Sequence, residues 1–123
     1  MLRTFLRAKL HRATITSADL DYEGSVSIDR ALCREAGLLE FEQVDVLDIG
    51  NGARFTTYVI YGEPGQIQVN GAAARLVNVG DLVIICAYVA LEAGEIAGHT
   101  ARVVQVGGDN QVVAVHTKAL HQP

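Results

Sequence analysis

Tryptophan is absent from this 123-residue sequence, and proline and cysteine occur only twice each. Cys33 and Cys86 lie far apart with no CxxC spacing, which argues against a disulfide framework and favours a reducing cytoplasm as the location. The four histidines have no metal-ligand spacing, so we expect no metal site.

Long apolar runs and large positive clusters are also absent. The longest unbroken apolar run, residues 82–91, is too short to span a bilayer as a helix and is typical of a buried strand. The net charge of −4 and the lack of Lys and Arg clusters argue against a nucleic-acid partner. The basic N-terminus is followed by no apolar h-region, so we predict a first strand there and expect no membrane association.

The length and the period-two alternation of apolar residues predict one mainly β domain over residues 1–116. Residues 17–21 are predicted to form a turn, 92–98 a loop, and 117–123 a patternless tail that we expect to be disordered. We predict six or seven short strands, at residues 2–11 with an extended continuation to 16, 44–49, 54–61, 66–69, 82–91, 100–106 and 112–116.

Helical signals are few. Asp29 is a suitable N-cap for a helix at residues 30–36, and Gly37 is suited to the left-handed position that ends it. Residues 70–74 are small and predict at most a short helical turn. Many glycines, short strands and one clear helix favour a small closed barrel, although the pattern alone does not distinguish an OB-fold from other small barrels.

The Gly24-Ser25 pair is a candidate site of self-cleavage. The Ser25 hydroxyl can attack the Gly24 carbonyl and form a backbone ester, and elimination and hydrolysis then leave a ketone. We expect Gly24 to help by adopting a strained conformation that exposes its carbonyl. Taken alone, such a pair before a helix is more commonly a turn or a cap.

Other candidate residues follow from strand periodicity. Alternation places Lys9 and His11 on the polar face of the first strand, and places Arg54 and Tyr58 on one face with Thr57 on the other. Asn70 and the small residues after it offer unobstructed backbone N–H groups, which are suited to holding a carboxylate or an oxyanion. Each pattern also has an ordinary structural explanation as a solvated strand residue, a barrel tyrosine or a turn.

The order and spacing of these segments resemble the pyruvoyl-dependent aspartate decarboxylases over residues 1–88, and the resemblance fades after Leu91. The segments that carry it are Lys9, His11, Tyr22-Glu23-Gly24-Ser25, Arg54-Phe55-Thr56-Thr57-Tyr58 and Asn70-Gly71-Ala72-Ala73-Ala74.

The resemblance implies a closed six-stranded double-psi β-barrel with one or two short helices, assembled as a homotetramer with sites between neighbouring subunits. It implies self-cleavage into chains 1–24 and 25–123, with a pyruvoyl group derived from Ser25. That group would form a Schiff base with L-aspartate and remove its α-carboxylate as carbon dioxide. The product, β-alanine, would supply pantothenate and coenzyme A synthesis, and some members of the family need a maturation factor.

The resemblance also implies roles for individual residues. Lys9 and Arg54 would contact the substrate carboxylates near His11, and Tyr58 would protonate the carbanion. The other implied roles are support of the Gly24 carbonyl by Thr57, orientation of the pyruvoyl group by Asn70, substrate contacts from Gly71, Ala72 and Ala73, and processing or pocket closure by Tyr22.

Alternatives stay open from sequence alone. A small acidic barrel that binds a protein or ligand without chemistry would keep an intact chain. A nucleic-acid-binding barrel would show affinity that falls steeply with salt. A related decarboxylase could act on glutamate or another amino acid, because pocket size is not visible in the sequence.

Overall fold

The computed structural model describes residues 1–123 and is mainly β. Its strands are β1 (Arg3–Thr14), β2 (Ser17–Asp19), β3 (Ser25–Asp29), β4 (Gln43–Asp48), β5 (Arg54–Gly62), β6 (Ile67–Asn70), β7 (Leu82–Leu91), β8 (Thr100–Val106) and β9 (Val112–Ala119). The helices are α1 (Arg30–Ala36), α2 (Ala93–Ile96) and two 3₁₀ helices, Gly71–Leu76 and Gly108–Asn110. None of these helices has the length and apolar character needed to cross a membrane.

One extended run of chain contributes two strands, β1 and β2, that lie far apart in the order of the sheet. The strand order is β2-β6-β3-β5-β4-β7-β1-β8-β9, and β1 and β2 are parts of the same run. Between them, the Ile15 N–H donates to the Asp81 carbonyl beside β7, and the Thr16 N–H donates to the Ile67 carbonyl of β6. The run and strands β3 to β7 therefore wrap around one core as in a small β-barrel, and the β8–β9 hairpin extends from β1.

The core consists of one cluster of 21 buried residues, contributed mainly by the strands and also by the buried face of α1. Its largest fully buried side chains include Leu10, Ile28, Ile67 and Ile85. Strand β3 lies between β5 and β6, so all five of its residues are buried. Because burial of β3 includes Ser25, this candidate residue lies within the fold and not on a surface loop.

Several predicted elements are confirmed. The Asp29 carboxylate accepts a hydrogen bond of 2.8 Å from the Ala31 N–H and begins α1, and Gly37 ends it with φ 72°. Strands β7 and β8 have the predicted bounds, and the turn after β4 joins two antiparallel strands.

Other predictions were wrong because long-range pairing outweighs local pattern. Residues 17–19 form β2 alongside β6, where a turn was predicted. Strand β3 was not predicted, because alternate polar residues hide its burial. The predicted loop at 92–98 contains α2, which a reciprocal Glu92–Glu95 capping box begins. The last strand continues through residues 117–119, which pair with the start of β8.

A buried asparagine fastens the second 3₁₀ helix to the barrel. Asn110 is 2% exposed, and its side-chain amide donates to the carbonyls of Thr14 and Gly65 at 2.9 Å each. Its Oδ1 accepts from the Thr14 N–H at 2.7 Å, and its backbone has a left-handed φ of 54°. Asparagine is among the few residues that tolerate this conformation.

We expect Asn110→Ala to lower the free energy of unfolding by about 3 kcal/mol, because it leaves buried backbone groups without partners. The thermal unfolding midpoint should fall by about 10 °C. Gln111→Ala is the matched control, because the exposed Gln111 side chain bonds only the neighbouring Asp109 carbonyl. Equal midpoints for the two variants would contradict the fastening role.

Two carboxyl groups meet below the β4–β5 turn. Asp48 is 2% exposed, and its Oδ1 accepts hydrogen bonds from the backbone N–H groups of Gly50 and Asn51. Its buried Oδ2 makes no hydrogen bond. Burial, followed by the interaction with the nearby Asp81 carboxyl, raises the pKa of Asp48, and the same interaction lowers the pKa of Asp81. Ionisation of Asp48 is therefore disfavoured in the folded protein.

This pair predicts a stability that depends on pH. A raised carboxyl pKa stabilises the folded state at low pH, and this stabilisation is lost as pH rises through the folded pKa of Asp48. In Asp48→Asn an amide that does not ionise replaces the carboxyl group. We therefore expect the unfolding midpoint of this variant, relative to that of the wild type, to rise as pH increases above about 4. The check is thermal unfolding from pH 4 to 8, with Asp109→Asn on the exposed second 3₁₀ helix as control. Parallel curves for wild type and Asp48→Asn would refute a raised pKa of Asp48 in the folded protein.

Candidate active site

Strand pairing places the Gly24-Ser25 bond beside two candidate segments. In the β3–β6 pair Ser25 lies opposite Asn70, and in the parallel β3–β5 pair Val26 lies opposite Val59. Continuing that parallel register by two residues brings Gly24 level with Thr57. The predicted cleavage bond thus lies where β3 begins, between the middle of β5 and the end of β6.

The Ser25 hydroxyl is buried and hydrogen-bonded on two sides. Its residue is 1% exposed, and its Oγ donates to the Glu23 carbonyl at 2.8 Å. It accepts a hydrogen bond of 3.0 Å from Nδ2 of Asn70, which also donates to the Ser27 hydroxyl at 3.1 Å. A hydroxyl oxygen has two lone pairs, so one remains uncommitted on Ser25 Oγ.

Gly71 forms a cradle for the cleavage bond that a side chain would fill. Its φ is +76°, and a Cβ added there would lie 2.7 Å from Gly24 Cα and 2.9 Å from Gly24 N. By contrast, a Cβ on Gly24 would have no atom within 4 Å, and Gly24 does not have a left-handed φ. The glycine that must remain glycine is therefore Gly71, whereas Gly24 has neither a left-handed φ nor a neighbour that excludes a Cβ.

The cleavage bond opens onto a cleft of about 660 Å³. Its walls bring together half of the predicted site residues: Gly24, Thr57, Tyr58, Asn70, Ala72 and Ala73. Thr57 and Tyr58 point to opposite faces of β5 yet both line the cleft, because β3 begins beside them and leaves this part of β5 uncovered. No bulge is needed to reconcile the position of Thr57 with the site.

The cationic candidates lie elsewhere, on the outer face of the β1-β7-β4-β5 sheet. Cross-strand pairing aligns Lys9 with Cys86, Asp45 and Thr56 in one row. The adjacent row runs from His11 through Ile84 and Leu47 to Arg54. Lys9 and His11 are therefore three strand spacings from Arg54, which is roughly 14 Å or more. Lys9 and Arg54 share this outer face, and their long side chains extend from it.

The surroundings of these residues affect their charge. Burial lowers the pKa of His11, and the neighbouring charges of Lys9 and Arg12 lower it further, so the imidazole is neutral at physiological pH. Arg54 lines a smaller cleft of about 170 Å³ with Asp45 and Tyr88. Burial raises the pKa of Tyr88, which keeps this phenol protonated.

Of the remaining candidates, Tyr22 is 53% exposed near the cleft, and its carbonyl would lie 3.3 Å from a Cβ on Gly71. The Tyr58 ring packs at a 60° tilt against Phe41. Sequence reasoning missed three residues: Arg75 in the large cleft, Tyr88 beside Arg54, and Gln68, which bonds Asn70. Tyr88 lies within the predicted apolar strand and faces outward. The period-two alternation of side chains along that strand could therefore have identified it.

Comparisons with known proteins agree with the resemblance seen in the sequence. The family model described as aspartate decarboxylase matches residues 1–113. An aspartate 1-decarboxylase of Methylibium petroleiphilum is 52% identical over 117 residues, covering 94% of this chain and 98% of the relative. The aspartate 1-decarboxylase of Maricaulis maris is 53% identical over 116 residues, covering 93% and 96%. That of Psychromonas ingrahamii is 52% identical over 115 residues, covering 92% and 91%.

We expect Gly71→Ala to slow cleavage at Gly24-Ser25 by about tenfold or more, because the new Cβ would push the backbone of Gly24 out of its position. Intact-mass spectrometry over time gives the cleaved fraction. Gly94→Ala is the matched control, since a Cβ there meets no atom within 4 Å. Cleavage of Gly71→Ala at the rate of Gly94→Ala would show that the close approach of Gly71 is not needed.

Proposed function

This chain belongs to the aspartate decarboxylase family, and we propose that it removes the α-carboxylate of L-aspartate as carbon dioxide with a pyruvoyl group made from Ser25. One observation carries the proposal in this structure. A buried serine hydroxyl, held by Asn70, adjoins a glycine whose backbone is cradled by Gly71. The residues present fit the group, because Asn70 contacts the hydroxyl from which it forms and the adjoining Gly24 borders a cleft that can admit a substrate.

Cleavage needs only water as a co-reactant. The Ser25 Oγ–H adds across the Gly24 carbonyl, and the amide nitrogen leaves with the proton, which moves the acyl group from nitrogen to oxygen. Loss of the Ser25 Cα proton then breaks the Cβ–Oγ bond, so Gly24 becomes a carboxylate and residue 25 becomes dehydroalanine. Water replaces the nitrogen of residue 25, which leaves as ammonia, and a ketone remains.

The ketone, once formed, serves as a sink for the electrons that decarboxylation releases. The side chains bind and orient the substrate around it. Ala72 and Ala73 offer backbone N–H groups in the same cleft as Gly24. Tyr58 lines this cleft and is assigned to donate the proton to the substrate Cα. Thr57 is assigned to support the Gly24 carbonyl during cleavage.

Arg54 and Lys9 are assigned to the two substrate carboxylates, with His11 beside Lys9 as a neutral hydrogen-bonding group. The Arg54 guanidinium can hold a carboxylate through two parallel bonds, whereas Lys9 acts as a point charge. Lys9, His11 and Arg54 lie outside the cleft that contains Gly24, so a second subunit could bring them to the Gly24 of its neighbour. This supports a homotetramer with sites between neighbouring subunits.

The cellular setting follows from the family and from the thiols. Cys33 and Cys86 are buried and unpaired, and burial raises the pKa of Cys33 to about 12, so its thiol is unreactive. This agrees with a reducing cytoplasm. There the β-alanine product would enter pantothenate and coenzyme A synthesis, and a maturation factor could assist cleavage.

The test combines mass spectrometry with product detection. We expect the purified protein to contain two chains that separate at Gly24-Ser25, the larger one lighter by one ammonia than simple hydrolysis would give. The sample should release β-alanine from L-aspartate, and Ser25→Ala should stay intact and inactive. A full-length chain that persists after warm incubation with cell extract would overturn the proposal, as would faster turnover of L-glutamate than of L-aspartate.

A further inference from the structure

Three side chains along one face of β6 form a chain of hydrogen bonds that ends at Ser25. The Glu63 N–H donates to Gln66 Oε1 at 2.9 Å, and Gln66 Nε2 donates to Gln68 Oε1 at 3.2 Å. Gln68 Nε2 donates to Asn70 Oδ1 at 2.6 Å, and Asn70 Nδ2 donates to Ser25 Oγ at 3.0 Å. The Ser25 hydroxyl ends this amide relay at the Glu23 carbonyl.

The direction of the amide relay is fixed at its far end. A backbone N–H can only donate, so the Gln66 carbonyl oxygen must face Glu63 and its amide NH₂ must face Gln68. The Ser17 hydroxyl also donates to Gln68 Oε1 at 2.6 Å, but a hydroxyl can accept as well, so the amide of Gln66 sets the orientation of Gln68. Gln68 then presents a donor to Asn70, and Asn70 must present its own donor to Ser25.

We propose that Gln68 is a positioning residue for self-cleavage, which through Asn70 keeps an N–H donor on Ser25 Oγ. The inference rests on the proposed cleavage reaction and names a residue that the sequence resemblance does not. In the elimination step a solvent base takes the Cα proton, its electron pair forms the Cα=Cβ bond, and the Cβ–Oγ pair leaves on Oγ. Negative charge therefore develops on the atom that Asn70 Nδ2 contacts, and a buried donor stabilises it.

If the side-chain amide of Asn70 were turned so that Oδ1 and Nδ2 exchanged places, its hydrogen bonds would remain. It would no longer stabilise the negative charge that develops on Ser25 Oγ. The hydroxyls of Ser25 and Ser27 can donate as well as accept, so both could bond to Asn70 Oδ1. The ground state would then be intact, but a carbonyl oxygen would face the departing carboxylate. Only the orientation of Gln68 distinguishes the two arrangements, because Asn70 Oδ1 accepts from no other side chain.

Gln68→Glu tests the polarity directly. The ionised carboxylate of this variant accepts from Ser17 and Gln66 as the native amide oxygen does, but it cannot donate, so Asn70 must turn its NH₂ towards residue 68. We expect cleavage at pH 7.5 to be about tenfold slower or more, which is the typical effect of losing one such donor. Near pH 4 the introduced carboxyl group becomes protonated and can donate again, so cleavage relative to wild type should recover.

The matched control is Gln111→Glu, which makes the same charge change at an exposed side chain outside the amide relay. This control leaves every hydrogen bond of the amide relay in place, so it should cleave within about twofold of wild type. Gln68→Ala leaves Asn70 free to rotate and should be slower than Gln111→Ala without any recovery at low pH. Cell-free translation followed by gel electrophoresis gives each cleavage rate, and circular dichroism confirms folding.

Equal cleavage rates for Gln68→Glu and Gln111→Glu at pH 7.5, or a slow Gln68→Glu that does not recover near pH 4, would overturn the positioning role. If Gln68→Glu fails to fold, the comparison of the two alanine variants decides, and equal rates there reject the proposal. A wild-type chain that never cleaves would refute the proposed function itself, which is a different result from any of these.

Discussion

The pairing of Ser25 with Asn70 across β3 and β6 is the interaction on which the site depends. It buries the reactive hydroxyl and places it against the side-chain amide of Asn70. The same register brings Gly71 against Gly24, because Gly71 directly follows the paired Asn70. A shift of β6 by one residue would turn Asn70 to the opposite face of the sheet and break both contacts. The barrel therefore positions the cleavage bond through strand register and not through a flexible loop.

The polar side chains buried on β3 would destabilise the fold without hydrogen-bond partners, and β6 provides partners for its serines. Ser25, Ser27 and Asp29 are all at most 7% exposed, and an unpaired buried hydroxyl would destabilise the fold. Asn70 bonds both serines, while Asp29 caps α1 and accepts from the Gly65 N–H. Each group is satisfied by a neighbour on the next strand or turn. This explains why β6 alternates core residues with amides and not with charged residues.

How much the sequence predicts depends on whether the deciding contact is local. The caps of α1, the bounds of β7 and the shared face of Arg54 and Tyr58 follow from neighbouring residues and were predicted. The glycine under conformational constraint was predicted at residue 24 and lies at residue 71, because the contact that excludes a Cβ joins two distant segments. Gln68 has no local signal at all, since its role depends on a strand register.

The topology also explains how the fold could survive a break in its chain after residue 24. Strand β1 lies between β7 and β8, and both of those strands belong to the segment after the break. Strand β2 pairs with β6 in the same segment. Leu10 and Ile15 of the first segment are at most 1% exposed in the common core. Separation of the two segments would require loss of this core, so cleavage changes the chemistry at residue 25 while strand pairing keeps the residues around it in place.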